Sequence, residues 1–95
     1  SNFAGYINTA SVVSTLSANG IYTATQNCIV AGYINLKMNT NCCVLINNTT
    51  IGYYSAPTNV NIYVSAYYPL KQGQRIAFNI SNTPHEFLVR VFERN

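Results

Sequence analysis

The sequence predicts an all-β fold: an antiparallel β-sandwich of about eight short strands. Three observations carry that expectation. The first is alternation of apolar and polar residues. It is clearest in Val60-Asn61-Ile62-Tyr63-Val64-Ser65-Ala66-Tyr67 and again in Arg75-Ile76-Ala77-Phe78-Asn79-Ile80-Ser81, and it sends successive side chains to opposite faces of a strand. The second is a dense and regular series of turn signals between runs rich in Val, Ile, Tyr and Thr. The third is that no helical periodicity persists long enough to compete. Residues 1–95 read as a single domain without repeat, linker or low-complexity segment.

The elements follow from the punctuation. Ser11–Ser17 is the first strand and ends at Ala18-Asn19-Gly20, after which comes Ile21–Ala24. Cys28–Lys37 is closed by Asn39-Thr40-Asn41. Cys42–Asn47 and Thr50–Tyr54 meet at the turn signal Asn47-Asn48. Ser55-Ala56-Pro57-Thr58-Asn59 leads into Val60–Tyr67, and Lys71-Gln72-Gly73-Gln74 leads into Arg75–Ser81. Ser81-Asn82-Thr83-Pro84 precedes the last strand, Glu86–Arg94.

Alternation also names the core. Val44, Ile46, Val60, Ile62, Val64, Ile76, Phe78 and Ile80 point inward, with Phe87, Val89 and Val91 from the last strand. Two strands are apolar on both faces. In Cys28–Lys37, Val30, Ile34 and Leu36 oppose Ile29, Ala31 and Tyr33; in the last strand, Leu88 and Phe92 oppose Val89 and Val91. A strand apolar on both faces is covered on both sides. In so small a domain the natural cover is another copy, so Ile29, Tyr33, Leu88 and Phe92 are the expected subunit interface. Such a chain should expose ~5,400 Å² as a monomer, and two patches of ~800 Å² would remove roughly a third of it. The expectation is a homotrimer, because the core of a domain this small is marginal alone.

Composition excludes more than it names. Only 7% of the residues are charged, Asp is absent, and Glu86 and Glu93 are the only acids. Asn occurs fourteen times and Tyr eight. Lys37, Lys71, Arg75, Arg90 and Arg94 give a net charge of +3 but are scattered, so no nucleic-acid surface is expected. The longest near-apolar stretch, Cys28 to Leu36, is far short of the ~20 residues that span a bilayer, and no membrane insertion is expected. No signal peptide is visible. The abrupt start at Ser1-Asn2 reads as that of one domain, C-terminal in a longer protein.

Three cysteines cannot all pair within one chain. Buried reduced thiols are the first reading, with a Cys28–Cys42 or Cys28–Cys43 bridge as the alternative. Reduced thiols fit assembly in a cytosol. Catalysis is not expected. Glu86 and Glu93 lie seven residues apart on one strand and point to opposite faces, whereas glycoside hydrolysis needs two facing carboxyls. His85 has no Asp to orient it and reads as a turn residue after Pro84. No phosphate loop, metal-ligand spacing or cofactor motif is present.

The positive signal is a neutral face of Tyr, Asn and Ser. Tyrosine joins a large apolar ring to a hydroxyl and is enriched at interfaces, and asparagine both donates and accepts hydrogen bonds. Tyr53, Tyr54, Asn59, Asn61, Tyr63 and Tyr67 are the candidate ligand-binding residues. The competing readings are ordinary outward strand residues and contacts between subunits.

An ordered set of segments resembles a known family. It comprises Gly20-Ile21-Tyr22-Thr23-Ala24, Gln26-Asn27-Cys28-Ile29-Val30-Ala31-Gly32, Val44-Leu45-Ile46-Asn47-Asn48-Thr49-Thr50-Ile51-Gly52 and Tyr68-Pro69-Leu70-Lys71-Gln72-Gly73-Gln74-Arg75-Ile76. The set resembles the small trimeric β-sandwich domains at the distal tips of bacteriophage tail fibres and tailspikes. It covers Gly20 to the C-terminus, and its motifs are turn chemistry. Gln74 stands where that family usually has Asp, and Asn48 where it has Gly. The resemblance implies a jelly-roll-like or TNF-like trimer that folds or trimerises the fibre and often touches surface polysaccharide; it carries over no binding residue.

The expected function is therefore a non-enzymatic tip domain, assembled in the host cytoplasm and carried on the virion tail, that trimerises and binds bacterial surface polysaccharide. A purely structural trimerisation cap is the runner-up. A carbohydrate-binding module attached to a hydrolase is the third reading.

Overall fold

The structure, a computed structural model, describes residues 10–94. It is all-β and antiparallel, with eight strands and no helix among the described residues. They are β1 (Ala10–Thr15), β2 (Ile21–Thr23), β3 (Cys28–Leu36), β4 (Asn41–Ile46), β5 (Thr49–Ser55), β6 (Ile62–Leu70), β7 (Arg75–Ile80) and β8 (Glu86–Arg94). Two four-stranded sheets result, one in the order β1-β8-β3-β6 and the other β2-β7-β4-β5. We call them the first and second sheet.

Asparagine shapes the turns. Asn19, Asn39, Asn47 and Asn48 all have positive φ, between 50° and 67°, a region that Asn tolerates better than other side chains. Asn47-Asn48 is a two-residue loop between the paired Ile46 and Thr49, and two consecutive positive-φ residues match the right-handed strand twist there. Amide oxygens close other loops. Asn27 Oδ1 accepts from Gln72 N at 3.0 Å, Asn47 Oδ1 from Arg75 N at 3.0 Å, and Asn19 Oδ1 from Ile80 N at 2.8 Å. The turn before β7 needs Gly73 at φ 88°, and Gln74 Oε1 accepts from Lys71 N at 2.8 Å. Gln74 thus supplies within this turn the side-chain acceptor that a shorter Asp would offer.

The two sheets enclose one apolar core. Val30, Ile34, Leu36, Val44, Ile76, Phe78, Val89 and Val91 are fully buried. Phe78 stands at its centre and joins the sheets. Its ring meets Tyr68 of β6 edge-on at 5.9 Å and Phe87 of β8 at 5.7 Å. Burying such a ring stabilises the fold by about 1.5–3 kcal/mol. The expected core residues lie here with one exception. Val60 is 53% exposed. β3 ends at Leu36, which pairs with Ile62, so no partner remains for Val60 and β6 begins two residues later. At its other end β6 continues through Tyr68 and Pro69 to Leu70 instead of turning after Tyr67. Proline is admissible because β6 is an edge strand and its missing N–H breaks no ladder.

The doubly apolar strands β3 and β8 are neighbours at the centre of the first sheet. The thiols of Cys28, Cys42 and Cys43 are all free, so neither bridge forms. Cys28 and Cys42 are buried, in the first and second sheet respectively. Burial pushes both thiols up to about 11, with the charge of Glu93 adding at Cys28 and that of Cys43 at Cys42. Cys43 is half-buried, on the opposite side of β4 from Cys42.

Candidate functional site

The outer face of the first sheet collects most of the residues singled out by the sequence. Strand pairing sets it out in rows. Val12, Phe92, Ile29 and Pro69 lie across one row, then Thr15, Arg90, Ala31 and Tyr67. Leu88, Tyr33 and Ser65 form the third row, and Glu86, Asn35 and Tyr63 the fourth. The face therefore grades from apolar at one end to aromatic and polar at the other. Ile29, Tyr33, Leu88 and Phe92, the expected interface, are all on it. So are Tyr63 and Tyr67, two of the expected ligand residues. Ile29 is already 1% exposed within one chain and lies outside the core cluster between the sheets, so a partner has little of it left to cover.

The polar end is locally organised. The Tyr33 hydroxyl donates to Glu86 Oε2 at 2.7 Å, and this bond to the carboxylate, with some burial, raises the phenol above its ordinary pKa. Tyr63 packs on Tyr33 at 6.1 Å, its ring tilted by 52°, and is 70% exposed. Arg90 lies 5.6 Å over the Phe92 ring. Two side-chain atoms on this face, Asn35 Oδ1 and Arg90 Nε, are shielded from solvent without a hydrogen-bond partner. Such groups carry a desolvation cost of about 1–3 kcal/mol each unless something satisfies them.

The other expected ligand residues are elsewhere. Tyr53 is 59% exposed but belongs to β5 of the second sheet. It cannot share a ligand pocket with Tyr63, because the core separates the outer faces of the two sheets. Tyr54 turns inward. It packs against the core, and its hydroxyl lies 2.6 Å from that of Tyr68, so its ring is not offered to a ligand. The reason is parity: Tyr53 and Tyr54 are adjacent on one strand and must face opposite ways. Asn59 is exposed in the loop before β6. Asn61 is exposed too, but its Oδ1 accepts from Met38 N at 3.0 Å and ties that loop to the end of β3.

Sequence reading passed over Asn35, Arg90 and the pairing of Glu86 with Tyr33. Asn35 had a readable signal, since it follows Tyr33 by two residues and must share its face. The pairing of Glu86 required knowing that β8 lies beside β3. Glu86 and Glu93 sit near opposite ends of β8, Glu93 accepting from Thr25 Oγ1 at 2.9 Å. His85 is exposed in the turn before β8, and its backbone N–H donates to Asn35 O at 2.9 Å. Among the described residues no His, Cys, Asp or Glu cluster could hold a metal ion, and no helix is long and apolar enough to cross a membrane.

No protein-family model, curated protein or solved structure matches this chain.

Proposed function

We propose that this chain is the trimerising tip domain of a bacteriophage tail fibre or tailspike, that it binds bacterial surface polysaccharide without cleaving it, and that the outer face of its first sheet is where copies meet. One observation carries the reading: the half-buried Tyr33, Leu88 and Phe92 lie on one outer face of the adjacent strands β3 and β8. A partner laid on this face gains apolar and aromatic contact. The strand orders β1-β8-β3-β6 and β2-β7-β4-β5 support reading the sandwich as a jelly roll, the fold the resemblance implies. The chain exposes 5374 Å² alone, so two patches of ~800 Å² each remain a substantial gain in buried surface.

A purely structural cap is the second reading, and it too has an observation in its favour. Tyr63 and Tyr67 share their sheet with the association face, and a trimer that used the whole face would cover them. One experiment addresses both readings. Sedimentation of the chain should give a mass near three times 10.5 kDa; a mass of one chain at micromolar concentration removes the trimer. Titration of the same sample with host surface polysaccharide should show binding without release of reducing ends. Silence across a broad glycan panel leaves the structural cap.

A further inference from the structure

The second sheet carries a groove on its outer face that the sequence did not announce, about 390 Å³ in volume. Its origin is one small side chain. On β7 the outward residues are Arg75, Ala77 and Asn79, and Ala77 pairs with Ile21 of β2 on one side and Leu45 of β4 on the other. Alanine between two longer aliphatic side chains makes a depression. Ile21, 72% exposed, forms one wall and Leu45 the other. Arg75 closes one end and Asn79 the opposite end, because residues two apart on a strand share a face.

The ends are braced by turns. Asn19, at the rim beside β2, accepts from Ile80 N through Oδ1, and its own N–H donates to Phe78 O at 2.9 Å. That leaves the Asn19 amide donors for the groove. At the other rim Asn47 N donates to Arg75 O at 2.8 Å while Arg75 N donates to Asn47 Oδ1, which fixes the neighbouring Asn48 at the groove edge. Three amides therefore stand around an aliphatic slot on rigid backbone, with one guanidinium at its end.

The charge balance selects the ligand. The chain has two acids, Glu86 and Glu93, and both belong to β8 in the other sheet. Among the described residues no carboxylate lies in the second sheet to neutralise Arg75. A guanidinium forks onto a carboxylate with two parallel hydrogen bonds. Amides that donate and accept suit hydroxyls, and Ile21 and Leu45 offer an apolar contact to the C–H face of a sugar ring.

We propose that this groove binds an acidic saccharide, a residue of the uronate or sialate type, with Arg75 on its carboxylate and Asn19, Asn48 and Asn79 on its hydroxyls. The proposal rests on the glycan-binding reading above and moves the binding site to the sheet opposite the association face, where a trimer leaves it open.

The test is calorimetric titration of the chain with tetragalacturonate and sialyllactose, each beside its neutral counterpart, galactotetraose or lactose. At least one acidic probe should bind about tenfold more tightly than its counterpart, and Arg75→Gln should abolish that preference. Ala77→Leu fills the floor of the groove and should weaken the acidic probe to a similar extent; circular dichroism verifies that it folds. Lys37→Gln, which removes a positive charge just beyond the end of β3 in the other sheet, should change nothing. The proposal is overturned if no acidic probe binds more tightly than its neutral counterpart, or if that preference survives Arg75→Gln. Neutral saccharide binding that is lost in Tyr63→Ala and kept in Arg75→Gln overturns the groove and leaves the glycan-binding reading standing; no binding of any saccharide removes both.

Discussion

The hydroxyls of Tyr54 and Tyr68 lie 2.6 Å apart. Tyr54 is on β5, an edge strand of the second sheet, and Tyr68 on β6, an edge strand of the first. Their hydrogen bond is therefore a polar clasp between the sheets, set against apolar packing: the Tyr68 ring touches Phe78 edge-on. Either hydroxyl can donate. The Tyr68 phenol is held well above its ordinary pKa by burial first, and then by its bond to Tyr54, so the Tyr68 hydroxyl keeps its proton through the neutral range.

Removing one partner should cost more than the bond itself is worth. Tyr68→Phe leaves the Tyr54 hydroxyl part-buried and unpaired, and the expected loss is about 1–2 kcal/mol. The double variant Tyr54→Phe/Tyr68→Phe removes both polar atoms and should be no less stable than the single one. Urea unfolding of the set checks this. Additive losses in the double variant would show that the two hydroxyls are not coupled.

Gly32 admits no side chain. A Cβ built there would lie 1.9 Å from the carbonyl oxygen of Leu88 and 2.9 Å from Val89 Cα. Both belong to the backbone of β8, which cannot retreat without opening its ladder to β3. Gly32→Ala should yield little or no soluble protein, or a fold destabilised by more than about 3 kcal/mol, beyond the range of an ordinary point substitution. Expression and thermal melting decide it, and a wild-type melting temperature would contradict the close approach of β3 and β8.

The two faces of β8 should respond differently to charge. Val91 is fully buried between the sheets, and Val91→Asp would bury an unpaired carboxylate; insoluble protein is expected. Phe92 is half-buried on the outer face, paired with Val12 and Ile29. Phe92→Asp should leave folded protein that sediments as a monomer. If Phe92→Asp sediments like the wild type, the interface is not on this face.

Much of the architecture was legible because it depends on parity and turn chemistry, both local properties. The last strand, Glu86–Arg94, matches the expected boundaries residue for residue, and the asparagine-rich turns fall where the sequence put them. The doubly apolar character of β3 and β8 was also readable, and the two lie side by side at the centre of the first sheet. What could not be read was pairing between distant segments. Tyr53 and Tyr63 look alike in sequence, yet they stand on different sheets. Val60 fits the alternation of the residues after it but lies beyond the end of its partner strand. The groove depends on Ala77 lying between Ile21 and Leu45, which are far apart in the chain. The candidate ligand set was accordingly the weaker reading: it gathered by composition what the fold distributes over two faces and a core.

The cysteines give a final prediction, in which reactivity and pH dependence are linked. Cys43 is half-buried outside the core, while Cys28 and Cys42 are enclosed. In the native protein one thiol per chain should react promptly with a disulfide reagent, and Cys43→Ser should abolish that reaction; the other two should react only on unfolding. Their burial also sets an alkaline limit. In the unfolded chain a thiol ionises near ~8.5, whereas Cys28 and Cys42 are pushed up to about 11 in the fold. The native state thus favours the protonated form. Its contribution is whole below ~8.5 and falls away as pH rises from there toward about 11. Melting temperature, measured in reductant between about pH 7.5 and 9.5 to stay below tyrosine ionisation, should decline with pH. Cys28→Ala and Cys42→Ala should each melt lower at the neutral end, because they leave cavities, but should show a shallower decline. An unchanged slope in both variants would mean that the buried thiols are not what the alkali attacks.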